Sequence, residues 1–157
     1  MKIKLILIGK DDADVFNEAL KEYVKKINFY ISFEIIAIPY LKNSKSLSVK
    51  EQKKKEGELL LSKIAPNDFV VLLDEHGKSL SSKGFSDLFQ QHFLNGTKNL
   101  VFIIGGAYGF SPELYSRKND DLSLSKMTFP HIMTRVIFAE QLYRAFTILK
   151  NEPYHHE

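Results

Sequence analysis

Leu100 to Pro112 reads "LVFIIGGAYGFSP". An unbroken run of apolar, mostly β-prone residues ends in two glycines, followed by a third glycine and Ser-Pro. Such a run marks a strand buried on both faces, as in a parallel sheet covered by helices. The glycines then deliver a tight loop to the sheet edge, and Ser111-Pro112 predicts a short helix with Pro in its first turn. What that loop holds is the functional question: a phosphate, another ligand, or its own turn.

The flanking segments repeat the alternation of strand and helix. Lys2 to Gly9 predicts a first strand. A helix capped by Asp12 runs to about Ile27, with Val15, Phe16, Ala19, Leu20, Tyr23, Val24 and Ile27 on one stripe. Phe33 to Pro39 is the second strand. "SVKE" at Ser48 to Glu51 forms a capping box that opens a charged helix to Ile64. A third strand spans Phe69 to Asp74, and "SLSSKG" after it reads as loop. The next helix lies around Phe85 to Leu94, closed by Asn95-Gly96. Leu100 to Ile104 is the fourth strand, "DLSLSKMTF" a short strand or extended loop, and Pro130 opens the last helix. The class is therefore α/β, with a mainly parallel sheet flanked by helices. At 157 residues, without repeat or linker, residues 1–157 are expected to form one domain.

Hydrophobic residues make up 44% and charged residues 26%, an ordinary balance for a folded soluble chain. With 0 Cys, disulfides, thiolate catalysis and Cys-ligated metal centres are excluded. The N-terminal apolar run is too short for a secretory signal or a membrane span, so a cytoplasmic location with no membrane partner is expected. A net charge of +3 permits an anionic partner such as RNA without requiring one.

Several catalytic templates fail. "HGKS" at His76 to Ser79 resembles the end of a phosphate loop, but the required earlier glycine is Leu72. "GGAYGF" has adjacent glycines and no acidic residue placed for a ribose, which disfavours dinucleotides. Histidines 76, 92, 131, 155 and 156 make no metal motif, and no metal is expected. What remains is Leu73 at a strand end, the glycine loop, and the small-residue segment entering the last helix. Ligands of parallel sheets bind at such strand ends, and Gly105 and Gly106 let backbone approach a bulky ligand. A nucleoside held by backbone groups and apolar contact suits these residues better than a triphosphate; singly, each feature is equally an ordinary turn.

The last helix carries Ile132, Met133, Val136, Ile137, Phe138, Ala139, Leu142, Tyr143, Ala145, Phe146, Ile148 and Leu149 over more than half its circumference. A surface helix of a monomer needs one apolar stripe, so a second copy is the expected cover, with a central helix as the alternative.

Together, "IGGAYG", "LSLSKMTFPHIMTRVIFAEQLYRAF" and the closing "PYHHE" resemble the ribosomal RNA large subunit methyltransferase H family, within the SPOUT (α/β-knot) superfamily. "KEGELLLSKI" and "VVLLDEHGK" extend the resemblance upstream. It implies a C-terminal trefoil knot, a homodimer, and methyl transfer from S-adenosylmethionine to N3 of a pseudouridine in large-subunit (23S) ribosomal RNA. With so little basic surface in the sequence, the assembled ribosome is the expected substrate, supplying shape recognition. It further implies cofactor contacts at Leu73, Gly105, Leu124, Ser125, Lys126, Met127, Thr128 and Phe129, and catalytic roles for Arg144, Tyr154 and His155. Gly106 and Gly109 are read as turn-forming rather than as ligand contacts. Arg144 is the candidate anion stabiliser or phosphate clamp, Tyr154 the stacking partner of the base, and His155 the proton acceptor. Plainer readings stand beside these: Arg144 as a helix ion pair with Glu140, and Tyr154-His155 as a loose tail. Another RNA base, or a non-catalytic RNA-binding module of the same fold, is the alternative function.

Overall fold

The computed structural model describes residues 1–9 and 15–156, the Val15 side chain excepted. The Asp12 cap lies outside the described residues. In chain order the elements are β1 (Lys2–Ile8), α1 (Val15–Asn28), β2 (Ser32–Ile38), α2 (Val49–Leu61), β3 (Phe69–Ser79) and α3 (Ser82–Leu94). Then follow β4 (Asn99–Ile104), α4 (Pro112–Arg117), β5 (Asp120–Ser123) and α5 (His131–Leu149). The strands form one sheet in the order β2-β1-β4-β3-β5, and every pairing is parallel.

The strand that "LVFII" predicts lies inside the sheet, between β1 and β3. Its side chains alternate between two cores. Leu100, Phe102 and Ile104 pack with Phe85 and Phe89 of α3, Leu20 and Ile27 of α1, and Phe138, Leu142 and Phe146 of α5. Val101 and Ile103 face the other way, towards Leu60 of α2, Phe110 and Leu114 of α4. Because both faces are covered, the strand has no polar face, which is why its sequence reads as an unbroken apolar run.

The capping box forms as the sequence indicates: Ser48 Oγ accepts from the Glu51 N–H, and the Glu51 carboxylate accepts from the Ser48 N–H. Ser111 caps α4, with Pro in its first turn. Three local expectations are corrected. Phe16 is 41% exposed; the buried line of α1 runs through Asn17, Leu20 and Ile27, and a neighbouring position sits about 100° off that line. α3 begins at Ser82 rather than near Phe85, because Ser81 caps it by accepting from the Gly84 N–H at 3.0 Å. β3 continues to Ser79: its pairing with β5 shifts between Leu73 and Lys78, so Asp74 to Gly77 bulge out before the strand resumes. Gly77 is what permits this return, since a Cβ there would lie 2.6 Å from the Leu122 nitrogen of β5.

His92 on α3 is buried edge-on against Phe69, and its Nδ1 is 3.0 Å from the Thr97 hydroxyl. Burial lowers its pKa below the ordinary 6.5, and burial chiefly, then Arg135, lowers that of His131. A depressed imidazole takes up its proton less readily folded than unfolded. Its stabilising contribution is therefore full above about pH 6.5 and is lost as the pH falls from there through the depressed folded value. Urea unfolding is expected to show stability falling from pH 7.5 to 5.5, with a shallower slope in His92→Gln. An unchanged slope in that variant counts against the assignment.

Candidate active site

Parallel strands bring their C-terminal ends to one edge, and there the loops after β4 and β5 face each other across the bulge of β3. They enclose a pocket of about 510 Å³. The first loop is tight: the Gly109 N–H donates to the Gly106 carbonyl at 3.0 Å, with Gly109 at φ +80°. Phe110 then folds beneath it, its ring 3.1 Å from where a Gly105 Cβ would stand. The second loop is tied by its own serines. Ser123 Oγ donates to the Ser125 carbonyl and the Met127 N–H donates to Ser125 Oγ, both at 2.9 Å.

Leu73, Gly105, Leu124 and Ser125 line this pocket, as do Met127, Thr128 and Phe129. Lys126 does not: it is exposed and outside the wall. The β3 bulge adds Asp74, Glu75 and His76, α2 adds Lys53, and the first turn of α5 adds His131 and Thr134. Asp74 is held by the Tyr115 hydroxyl, which donates to Oδ2, and by the His76 N–H, which donates to Oδ1 at 2.9 Å. Burial, then Asp74, pushes the Tyr115 hydroxyl up to about 12, so it remains a donor. No sequence pattern marks Asp74 or Tyr115: the bulge that aims Asp74 comes from pairing with a distant strand, and Tyr115 reaches it from α4.

Gly106 and Gly109 form the turn expected of them, but both also line the pocket, where turn-forming roles alone were expected. The turn does not itself require a glycine at 106, and the φ of Gly106 is not left-handed. A Cβ there would lie 2.7 Å from Cδ of Glu56, whose carboxylate rests on the Gly106 backbone. Close approach, rather than turn geometry, requires the glycine.

Arg144, Tyr154 and His155 come together with one another and not with the pocket, none of them lining it. A helix end explains the grouping. Asn151 is left-handed (φ +55°), the Asn151 N–H donates to the Ile148 carbonyl, and the Glu152 N–H donates to the Thr147 carbonyl. This closes α5 and turns the chain back. The Tyr30 hydroxyl then ties down the Glu152 carboxylate, and Tyr154 packs edge-on against Tyr143 with ring centres 4.7 Å apart. Glu140 is the hub. Its Oε1 accepts from Arg144 Nε at 2.9 Å, Arg144 Nη2 at 2.5 Å and the Tyr154 hydroxyl at 3.2 Å. The Arg144 guanidinium lies 4.7 Å from the Tyr154 ring centre. So the helix ion pair exists, and the tail is docked rather than loose.

Arg144 Nη1 is 3.3 Å from His155 Nδ1. A guanidinium has no acceptor, so Nδ1 must accept and the proton of a neutral ring sits on Nε2. In this arrangement Nδ1 is engaged by Arg144, so His155 must leave Arg144 before that nitrogen can take a proton. Along α5, Thr134 at the pocket and Arg144 are ten residues apart, about 15 Å at the helical rise.

Among the described residues no group of three or more His, Cys, Asp or Glu side chains could hold a metal ion, and no helix is long and apolar enough to cross a membrane.

The sheet is all-parallel and flanked by helices, and two of the loops at its C-terminal edge face each other over one pocket. The family model described as "Predicted SPOUT methyltransferase" matches residues 1–155, and the chain belongs to this family. More particularly, it is 55% identical over 156 residues to the Ribosomal RNA large subunit methyltransferase H of Christiangramia forsetii, covering 99% of each chain. It is also 54% identical, over 100% of each chain, to the proteins of the same name from Flavobacterium psychrophilum and Parabacteroides distasonis.

Proposed function

We propose that this chain transfers a methyl group from S-adenosylmethionine to N3 of a pseudouridine in large-subunit ribosomal RNA, on the assembled ribosome and in the cytoplasm. The observation that carries the reading is the convergence of the loops at Gly105 and at Leu124 to Phe129 on one pocket, in a chain 55% identical to a protein of that name. The single unit of residues 1–157 is threaded, in this reading, as the α/β-knot of its family.

The pocket suits the cofactor. Its volume of about 510 Å³ falls in the range of small-molecule sites. Leu73, Leu124 and Phe129 offer apolar walls, Gly105 presents backbone without a Cβ, and Ser125 and Thr128 offer hydroxyls. When bound, the cofactor supplies an activated methyl group on a sulfonium centre. The chain's own residues do the rest by position. N3 of a uracil-type ring carries a weakly acidic proton, and attack requires its loss. Arg144 stabilises the negative charge that builds on the ring, with His155 at its side, and Tyr154 stacks on the base.

These groups stand at the far end of α5 from their own pocket, so the reading includes a homodimer in which each tail serves the partner's pocket. Support comes from the outer face of α5, where Met133, Ile137, Arg144 and Ile148 fall on one stripe at spacings of 4, 7 and 4 residues, half-buried in the single chain. A second copy laid on this stripe covers its apolar surface and carries the tail across.

Two measurements test the reading. Calorimetry is expected to show S-adenosylmethionine binding, abolished by Gly105→Val, which fills the space against Phe110. Mass mapping of ribosomal RNA from cells lacking the chain is expected to show one pseudouridine without its methyl group. Absence of binding at millimolar cofactor leaves a non-catalytic module, and a missing methyl on another base reassigns the substrate.

A further inference from the structure

Glu56 sits on α2 among lysines, yet it is only 3% exposed. Gln52, one turn earlier, donates Nε2–H to its Oε1 at 2.9 Å. Its Oε2 is sealed from solvent and has no hydrogen-bond partner among the described residues. No ion pair among those residues includes it. A buried carboxylate oxygen with nothing to accept is costly, so its retention in this fold calls for a physical reason.

Its position supplies one. The carboxylate rests on Gly106, where a Cβ would come within 2.7 Å of Cδ and 3.0 Å of Oε1, and Gly106 itself lines the pocket. Gly57 holds α2 in place, since a Cβ there would lie 2.8 Å from that of Ser111 at the cap of α4. The carboxylate is thus fixed one glycine's thickness behind the pocket wall.

We propose that Glu56 makes the pocket charge-selective, favouring the cationic methyl donor over the neutral thioether left after transfer. This rests on the cofactor reading given above. In the transfer the sulfur–methyl bond breaks and its electron pair stays on sulfur. The nitrogen–methyl bond forms, and the N3 proton passes to solvent. The sulfur therefore loses its positive charge in the same step that makes product. A fixed anion behind the wall attracts the donor, gives no such attraction to the product, and so promotes exchange. Burial matters because a charge away from water is weakly screened. Asp74 and Glu75 also border the pocket, but Glu75 is exposed and both Asp74 oxygens already accept hydrogen bonds. Among nearby cationic groups, Lys53 lies at the wall and Arg135 is buried deeper on α5. His131 adds no positive charge at neutral pH, its pKa being lowered by burial and by Arg135 against an opposing pull from Glu56.

The experiment is calorimetric titration of wild type and Glu56→Gln with three ligands: S-adenosylmethionine, the neutral S-adenosylhomocysteine, and sinefungin, whose amine keeps a positive charge in place of the sulfonium. Glu56→Gln keeps the shape and the Gln52 contact. Affinity for the two cations is expected to fall about tenfold while that for the thioether stays within about twofold. An equal loss for all three assigns Glu56 a purely structural role and overturns the proposal, as does no change. If wild type binds none of the three, the cofactor reading falls and takes the proposal with it, whereas normal wild-type binding with an unmoved ratio sinks the proposal alone. Should thermal melting show Glu56→Gln unfolded, wild type decides: its preference for sinefungin over the thioether is expected to persist from low salt to about 0.5 M. Disappearance of that preference overturns the proposal.

Discussion

Arg144→Ala is expected to lower kcat for ribosome methylation by about a hundredfold to a thousandfold while leaving cofactor affinity within about twofold. The magnitude is that of removing one preorganised group from a site of developing negative charge. The split between the two readouts follows from place, since Arg144 stands on the last turns of α5 and no part of it lines the pocket of its own chain. The plainer reading predicts something else. If the guanidinium serves only as the partner of Glu140, the variant loses less than about 1 kcal/mol of stability, as for a partly solvated helix pair, and keeps its activity. Arg144→Lys sharpens the comparison. Lysine restores the charge but neither the two-nitrogen grip on Glu140 Oε1 nor the flat face against Tyr154. Partial recovery is therefore expected, and full recovery would argue that charge alone matters. Radiolabelled methyl incorporation and calorimetry on the same preparations separate these outcomes.

The sheet was legible because each of its early strands is an apolar run ended by turn residues, and the strand Leu100 to Ile104 needed no other context. What escaped sequence reading depends on partners distant in the chain. Asp74 to Gly77 is polar and ends in glycine, which locally signals a turn; only β5 lying alongside shows it to be a bulge within a longer strand. Ser81 does not stand out as a cap because it lies in a Ser-Leu-Ser-Ser cluster that reads as loop. Phe16 belongs by residue type to the apolar stripe of α1, yet Asn17 takes the buried position.

The candidate site divides in the same way. Family resemblance named the two loops, and seven of the eight residues it suggested line the pocket, Lys126 being the exception. It also named Arg144, Tyr154 and His155, but a motif carries residues without saying which copy of the chain they serve. Separation along α5 is a property of three dimensions, and it is what turns a half-buried apolar helix face into an argument for a partner. Glu56 lay inside the quoted "KEGELLLSKI", where a glutamate among lysines looks like solvated helix surface. Its burial became visible only against Gly106.

Gly106→Ala is expected to cost about 1–3 kcal/mol of stability, as overpacking does, and to weaken cofactor binding at least a hundredfold. The new methyl group has no room. It would stand 2.7 Å from Cδ of Glu56, and α2 cannot retreat as a unit without opening its contact at Gly57 and Ser111, which is itself too close for a side chain. Glu56 is buried and tied to Gln52, so the strain is shared between its side chain and the loop, which shifts towards the space where ligand is held. The clash is specific, so it is expected to be repairable: Glu56→Ala removes the obstructing carboxylate, and the double variant is predicted to be more stable than the sum of the two single changes implies. Urea unfolding of the four proteins measures that coupling, and strict additivity would place the effect of Gly106→Ala elsewhere. The same variant also tests the dimer. Gly106→Ala lacks a working pocket and Arg144→Ala a working tail, so each alone is nearly inactive. Mixed and allowed to exchange subunits, about half the dimers become heterodimers, each with one intact pocket facing one intact tail. Activity is then expected to recover to about a quarter of wild type, whereas a site built within one chain gives no recovery at all.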